Sequence, residues 1–158
     1  MRLRQQAKPV DSSLFDSPQL HDWVDSIVST MRHANGSGLA ATQVGLMQRI
    51  CAMEVTSNPR YPYKPPIPLT VMVNPAWEPL DDETFSNFEG CLSVPGIRGR
   101  VTRYRRVQLV YHTAAGEEKR EVHSGLRAGT IQHELDHLDG VLFLDRVQDP
   151  HTLTTWEN

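Results

Sequence analysis

The segment His133-Glu134-Leu135-Asp136-His137 combines residue types and a spacing that are suited to metal chemistry. Residues four apart on a helix have Cβ atoms about 5–6 Å apart on one face, so His133 and His137 can reach one ion. Glu134 follows the first histidine, and its carboxylate would stand beside the ion as an acid and base. This spacing is typical of helix-borne zinc hydrolases. A helix with two surface histidines and solvated acids would show the same pattern.

Cys91 is the strongest candidate for a third ligand. A catalytic site of this type normally has three protein ligands and one position open to water. For a thermolysin-like site only Glu157, at the terminus, follows His137, and His151 lies too far on for the third histidine of metzincin-type proteases. Cys91 lies between Gly90 and Pro95, in a bent segment that can point a thiolate into a cavity. A buried, inert thiol is the usual state of a free cysteine, and Cys51, inside an apolar run, fits that state better.

The predicted ligand set of Cys91, His133 and His137 is electrostatically coherent. Two neutral imidazoles and one thiolate leave one positive charge on a divalent site, which a hydroxide would neutralise. A divalent cation lowers the pKa of its water from about 15.7 toward about 7. The mixed nitrogen and sulfur donors admit Zn(II), Fe(II), Ni(II) or Co(II). Similar donors occur in copper electron-transfer proteins, which have no use for a carboxylate beside the metal.

Two helices are predicted from the spacing of apolar residues. The metal-binding helix would run over about 125–138, where Leu126, Ile131, Leu135 and Leu138 face inward. An N-terminal amphipathic helix is predicted over about 18–34. It starts with Ser17 as the N-cap and Pro18 at the first helical position, and it ends at Asn35-Gly36.

The remaining elements are predicted to be mostly strands. With the two helices, these strands indicate an α+β fold in one domain spanning 1–158, with mixed or antiparallel strands packed around the buried metal-binding helix. The proline-rich stretch Ser57–Pro68 is predicted to be a loop. The predicted strands are Arg49–Val55, Leu69–Val73 stopped by Asn74-Pro75, a hairpin of Arg106–His112 and Glu118–His123, and a short final strand over Val141–Leu144.

Composition excludes several classes of protein. The formal net charge is −3 with both signs interspersed, so no bulk field attracts nucleic acid or an anionic membrane. Two cysteines do not make a disulfide framework. The first residues lack the apolar stretch of a signal peptide, and no apolar run reaches membrane-spanning length. We therefore expect a reducing, cytoplasmic location.

A glycine-rich segment, Gly36–Gln43, follows the first predicted helix. Its small residues let backbone approach a ligand, and the Gln43 amide can donate to a developing oxyanion. Three stretches together, Gly36–Gln43, Glu89–Ser93 and Gln132–His137, resemble in order and separation the three motifs of the peptide deformylases. Smaller matches extend the resemblance over nearly the whole chain, for example Asn74-Pro75.

The resemblance implies removal of the formyl group from N-formyl-methionyl ends of nascent chains, with release of formate. It implies a metal on Cys91, His133 and His137, usually Fe(II) in cells and often Zn(II) or Ni(II) in preparations. Glu134 would shuttle the proton, while the Gln43 side chain and the Leu92 backbone N–H would stabilise the formyl oxygen. The resemblance further implies a substrate-binding set of Ser37, Gly38, Leu39, Glu89, Gly90, Arg103, Leu126, Gly129 and Thr130.

The chain departs from the family's pattern at two positions near the pocket for the methionine side chain. Ser37 replaces a branched aliphatic residue, and Gly129 replaces an arginine or an aliphatic residue. These smaller side chains would widen or polarise the pocket, so we expect weaker discrimination for methionine. Few residues follow Arg146, so we do not expect docking at the ribosome through a long, basic C-terminal helix.

Three other functions share part of this pattern. A zinc endopeptidase of the HExxH type would use the helix motif without needing Cys91. A copper electron-transfer protein would use the two histidines and the cysteine without Glu134. A degenerate homologue would bind formyl-peptides without turnover. The sequence leaves open the physiological metal and whether the source is bacterial, organellar or viral.

Overall fold

The computed structural model describes residues 2–56 and 65–156. Three α-helices lie in these ranges: α1 (Pro18–His33), α2 (Gly125–Leu138) and α3 (Phe143–Arg146). Short 3₁₀ turns occur at Arg2–Arg4, Ser12–Leu14, Ala41–Val44 and Pro150–Thr152. The strands of the same ranges are β1 (Gly38–Ala40), β2 (Ile50–Val55), β3 (Ile67–Pro79), β4 (Thr84–Cys91), β5 (Val94–Tyr104), β6 (Arg106–His112), β7 (Glu118–Ser124) and β8 (Thr154–Thr155).

The strands form two antiparallel sheets. The larger sheet has the order β1-β2-β3-β6-β7, and the smaller has the order β4-β5-β8. Alternation along β2 sends Cys51 and Met53 to a core shared with α2, and sends Ile50 and Ala52 to a core shared with α1. The larger sheet therefore lies between the two long helices. The predicted α+β class is confirmed, and among the described residues no helix is both long and apolar enough to cross a bilayer.

The first helix forms as its sequence predicts. Ser17 Oγ accepts a hydrogen bond from the Leu20 N–H at 3.1 Å, and Pro18 occupies the first turn. The buried side chains of the helix, including Ile27 and Met31, recur at helical spacing. The chain leaves the helix through Asn35, whose φ of 53° lies in the left-handed region that asparagine tolerates.

The metal-motif helix also lies where it is predicted, but its surroundings differ from those of α1. It is buried on nearly all sides, by the larger sheet and by β5. The N-terminal segment closes its end, because the Ala7 N–H donates to the Leu138 carbonyl at 2.8 Å. Lys8 then joins the same segment to the chain ahead of β2, since its carbonyl accepts from the Arg49 N–H at 2.8 Å.

The C-terminal residues lie against the smaller sheet. Strand β8 pairs with β5 through Thr155 opposite Ile97 and Thr154 opposite Arg98. Trp156 packs directly on Gly90, at a distance that leaves no room for a Cβ atom there. The Arg98 guanidinium lies 5.4 Å from the Trp156 ring centroid. This segment therefore holds the end of β4 that leads to Cys91.

The prediction for β3 is wrong in its bounds. The strand was expected over Leu69–Val73 with a stop at Asn74-Pro75, but it spans Ile67–Pro79. Asn74 adopts a φ of 50°, and the register with β6 shifts between Val73 and Ala76. This irregularity places Pro75, which has no N–H, where the ladder is interrupted. The predicted loop Ser57–Pro68 ends before Ile67, and its part at 57–64 lies outside the described residues.

The predicted strand Val141–Leu144 is also wrong, because Phe143–Arg146 forms α3. The Asp145 carboxylate accepts a hydrogen bond from the Leu142 N–H at 2.8 Å, which satisfies a backbone donor at the start of the helix.

Strands β4 and β5 were not predicted. Their outward positions are largely polar, and Pro95 and Gly96 interrupt the pattern.

Candidate metal centre and its cleft

The three predicted ligands converge in the structure. One ligand atom each of Cys91, His133 and His137 lies within 4.8 Å of the others. Cys91 Sγ is 3.2 Å from His137 Nε2. The register of β4 with β5 shifts between Gly90 and Cys91, so the strand ends in a turn where the sulfur faces α2. A thiolate and two imidazoles fit a divalent cation of the zinc or iron type.

Cys51 takes no part in this centre. It is a free thiol, fully buried in β2 against the core beneath α2. Burial raises the pKa of this thiol well above its usual range, so it stays protonated. Because Cys91 is also free, no disulfide joins the two residues.

Glu89 orients the first histidine. Its carboxylate accepts from His133 Nδ1 at 2.9 Å, so the other ring nitrogen, Nε2, is the one available to a cation. Arg103 holds Glu89 from behind through a two-pronged contact of 2.7 and 2.8 Å. Both members of that ion pair are buried, with side chains at most 8% exposed.

The same ion pair continues along α2 to Asp136, which lies three residues after His133 on a similar face of the helix. Arg103 also donates to Asp136 at 2.6 Å. Arg146 of α3 donates to both oxygens of Asp136, at 2.8 and 3.1 Å. Two carboxylates and two guanidiniums thus form a chain of paired charges beside the ligand-bearing turn, with the partly exposed Arg146 at its end. Buried charges persist only when paired in this way.

The pKa values of these groups follow from their contacts. Burial acts to raise the pKa of Glu89, but hydrogen bonds from Arg103 and His133 outweigh it and lower the pKa to about 2. Burial, then the charges of His133 and Arg103, lower the pKa of His137 to about 3, so its imidazole is neutral. Burial also opposes charge on His133, but hydrogen bonds with Cys91 and Glu89 raise its pKa to about 10. A bound cation would displace the proton from the ring nitrogen of His133 that faces it.

The glycine-rich segment places Gln43 and leaves room for Glu134. Gln43 Oε1 accepts from the Ala40 N–H at 2.9 Å, which turns its amide nitrogen toward the centre. That nitrogen donates to Ser93 Oγ at 3.0 Å and lies 3.7 Å from Cys91 Sγ. A Cβ atom at Gly38 would overlap the carboxylate of Glu134, so only glycine fits there.

A cleft opens on the centre between β1 and β4. It is bounded by the glycine-rich segment, by β4 and its following turn, and by one face of α2. Its lining comprises Gly36, Ser37, Gly38, Gln43, Asn87, Phe88, Glu89, Gly90, Cys91, Leu92, Leu126, Gly129, Thr130, His133 and Glu134.

Most of the predicted substrate-binding residues therefore line one cleft, and two do not. The side chain of Leu39 packs in the core with α1 residues such as Leu20. Arg103 lies behind Glu89, away from the cleft. His137 is likewise deeper than the lining, with its side chain almost wholly buried.

Sequence reasoning missed several residues around the centre. Ser93 receives the Gln43 hydrogen bond, and Asp136 and Arg146 complete the charge network. Asn87 lines the cleft, and Phe85 abuts α2 at Gly129. Period-two alternation back from Glu89 would have found Phe85 and Asn87 once β4 was assigned as a strand.

Comparison with known proteins gives a consistent family. The family model for polypeptide deformylase matches residues 1–152. Peptide deformylase 1 of Bordetella pertussis is 42% identical over 148 residues, which covers 94% of this chain and 83% of that protein. Peptide deformylase 2 of Ralstonia nicotianae is also 42% identical over 148 residues, which covers 94% of this chain and 82% of that protein.

Solved structures agree in fold as well as in sequence. A class I type b peptide deformylase from Acinetobacter baumannii superposes with a TM-score of 0.90 at 39% identity, covering 93% of this chain and 92% of that one. A second structure of that enzyme, with Met-Ala-Ser bound, gives a TM-score of 0.89 at 40% identity and covers 92% of each chain. The peptide deformylase of Thermotoga maritima gives 0.82 at 36% identity, covering 94% of this chain and 92% of that one.

Proposed function

The chain belongs to the peptide deformylase family, and on that premise we propose that it hydrolyses the formyl amide of N-formyl-methionyl peptides. The products are formate and a free amino terminus. The observation that carries the proposal is the convergence of Cys91, His133 and His137 beside Glu134 and Gln43. A zinc endopeptidase or a copper protein would need only part of this set, and neither is favoured by the comparisons.

The peptide would bind as an added strand between two sheet edges. Strand β1 is an edge of the larger sheet, and β4 is an edge of the smaller one. Both edges border the cleft, through Ser37 and Gly38 on one side and through Phe88–Gly90 on the other. An extended peptide pairs readily with such edges, and its alternate side chains then enter pockets. The first side chain would point toward Leu126 of α2.

Three groups of the chain would act on the formyl amide. The Gln43 amide and the Leu92 backbone N–H would donate to the formyl oxygen as it gains charge. Glu134, buried at the cleft, would take a proton from the attacking water and pass it to the departing amine. A cation held by the three ligands would supply Lewis acidity and lower the pKa of water.

We propose Fe(II) as the metal in cells, as the family resemblance implies. The mixed sulfur and nitrogen donors also accept Zn(II), Ni(II) or Co(II) as substitutes. Since the substrate is the start of a newly made protein, we place the reaction in the cytoplasm. The partners are then nascent chains, and the interspersed surface charge offers no argument for nucleic acid.

Formate release tests this function directly. The protein would be purified without oxygen, its metal stoichiometry measured, and formyl-Met-Ala-Ser supplied as substrate. We expect about one divalent ion per chain and stoichiometric formate. Metal-loaded protein that releases no formate would refute the proposal.

A Cys91→Ser variant separates this function from an HExxH endopeptidase. We expect the variant to lose both metal and formate release, because the thiolate is one of three ligands. Cys51→Ser is the matched control, since Cys51 lies outside the centre. Retained metal together with cleavage of unformylated peptides would indicate an endopeptidase instead.

A further inference from the structure

Asn87 occupies a defined place on the inner face of β4. Side chains two apart on a strand share a face, so Asn87 projects with Phe85 and Glu89. Phe85 meets α2 at Gly129, and Glu89 meets it at His133, one helical turn later. Asn87 therefore lies over the turn of α2 between these two contacts, and it lines the cleft.

The space left by Gly129 is already filled. A Cβ atom at this glycine would lie 3.1 Å from Cζ of Phe85. The expected widening of the pocket at Gly129 is therefore limited by the Phe85 ring. This part of the cleft is polar, because its lining includes Asn87 and the buried side chains of Ser37 and Thr130.

The side-chain carbonyl oxygen of Asn87, Oδ1, is buried, and no donor lies within hydrogen-bond reach of it among residues 2–56 and 65–156. Buried side-chain oxygens nearly always have a partner, so an unpaired oxygen in the lining of a cleft is available to a donor of the bound peptide. The oxygen accepts hydrogen bonds and would take one from an N–H of the bound side chain.

We propose that Asn87 is a specificity-determining residue that accepts a hydrogen bond from the first side chain of the peptide. The matching side chain has the length of methionine and ends in an amide, as glutamine does. This inference rests on the proposed deformylase function and extends it to substrates of the formyl-glutaminyl class. A leucine at position 87 would leave the amide of such a substrate unpaired in the cleft, so the discrimination depends on this one oxygen.

Norleucine and glutamine provide the matched comparison. Norleucine has a similar length and no hydrogen-bonding atom. We would measure kcat/KM for formyl-Gln-Ala-Ser and formyl-norleucine-Ala-Ser with the metal-loaded enzyme and with Asn87→Leu. The ratio of glutamine to norleucine should fall roughly tenfold in the variant, as expected for one lost hydrogen bond. An unchanged ratio would overturn the proposal.

Ser86→Ala serves as the control variant, because Ser86 is exposed on the opposite face of β4. It should leave the ratio where it is. If Asn87→Leu does not fold, the same ratio would be measured with Asn87→Val, because valine favours strands.

Calorimetry with the unformylated peptides separates this inference from the proposed function. Gln-Ala-Ser should lose affinity for Asn87→Leu relative to norleucine-Ala-Ser, whether or not formate is released. No formate from any peptide would refute the deformylase function. Equal affinity changes for both peptides would refute the role of Asn87 and leave the deformylase function untouched.

Discussion

The two long helices of this protein are similar in length and opposite in character. Helix α1 fully buries only Leu20, Ile27, Val28 and Met31, with Trp23 and Val24 partly buried beside them, and exposes most of its remaining surface to solvent. Helix α2 buries ten of its fourteen residues, and five of these are polar or charged. An apolar stripe is enough to position α1. The second helix needs partners for its polar groups on every side, because unpaired polar groups are costly inside a protein.

Those partners are supplied by neighbouring strands and by the backbone of α2 itself. Gln132 accepts from the Tyr104 N–H at 3.0 Å and donates to the Tyr104 carbonyl at 2.8 Å. Thr130 donates to the Leu126 carbonyl at 3.1 Å. Glu89 and Arg103 secure the ligand face. The difference between the helices predicts that changes in α2 alter chemistry or charge balance, and that changes in α1 alter stability only.

The largest expected effect is that of Glu134→Gln, which keeps the shape of the side chain and removes its ability to accept a proton. Formate release from formyl-Met-Ala-Ser should fall by about 10²- to 10⁴-fold, the usual contribution of a general acid and base. Metal content should not change, since Glu134 is not among the three ligands. Glu117→Gln, on the distant hairpin, is the control. A variant that keeps its full metal content and releases formate at the parent rate would show that Glu134 is not the acid and base.

The next effect is on stability, through the charge network behind the ligands. Arg103→Met leaves Glu89 and Asp136 buried with less compensation, and breaking such a pair costs about 3–5 kcal/mol. Urea denaturation would measure this loss. Arg32→Met, at the exposed pair between α1 and Glu54, should shift the midpoint far less. Equal shifts in the two variants would contradict the comparison.

A core truncation in α1 should separate stability from chemistry. Ile27→Ala removes a side chain that is 1% exposed, and such truncations cost about 2–5 kcal/mol. The kcat/KM of the folded enzyme should equal that of the parent, because α1 contributes nothing to the lining of the cleft. A fall in kcat/KM below the melting range would show that α1 is coupled to the centre.

The smallest expected effect is at the cap of α1. Ser17→Ala removes the acceptor for the Leu20 N–H and should cost about 1 kcal/mol. Ser26→Ala, in the middle of the helix, removes only a bond to the Asp22 carbonyl and should be close to neutral. Thermal melts of the two variants would test this order. A larger loss for Ser26→Ala would reverse it.

The sequence predicted both helices because each carries a local signal. Ser17-Pro18 marks the start of α1 and the apolar spacing marks its face, while the histidine spacing marks α2. The three ligands were found from the chemistry of their side chains, and their convergence agrees with that prediction. The bend at Cys91 was expected from its glycine and proline neighbours, and the structure has a turn after β4 there.

The rest depends on contacts that join distant parts of the chain. Nothing near Arg103 in the sequence announces that it pairs with Glu89 and Asp136, although the family resemblance singled it out. Strands β4 and β5 were missed because pairing with each other, rather than an apolar pattern, defines them. The final helix was missed because four residues are too few for a periodic signal, and the Asp145 contact to Leu142 starts it.

Segments near both ends of the described chain contact the elements that carry the ligands, α2 and the end of β4. The backbone of Ala7 fastens the last turn of α2, one residue beyond His137, and Trp156 presses on the glycine that precedes Cys91. Exopeptidase trimming past either contact would therefore disturb the segments that position the ligands. Affinity tags for purification are best joined through a flexible spacer, so that neither terminal contact is disrupted.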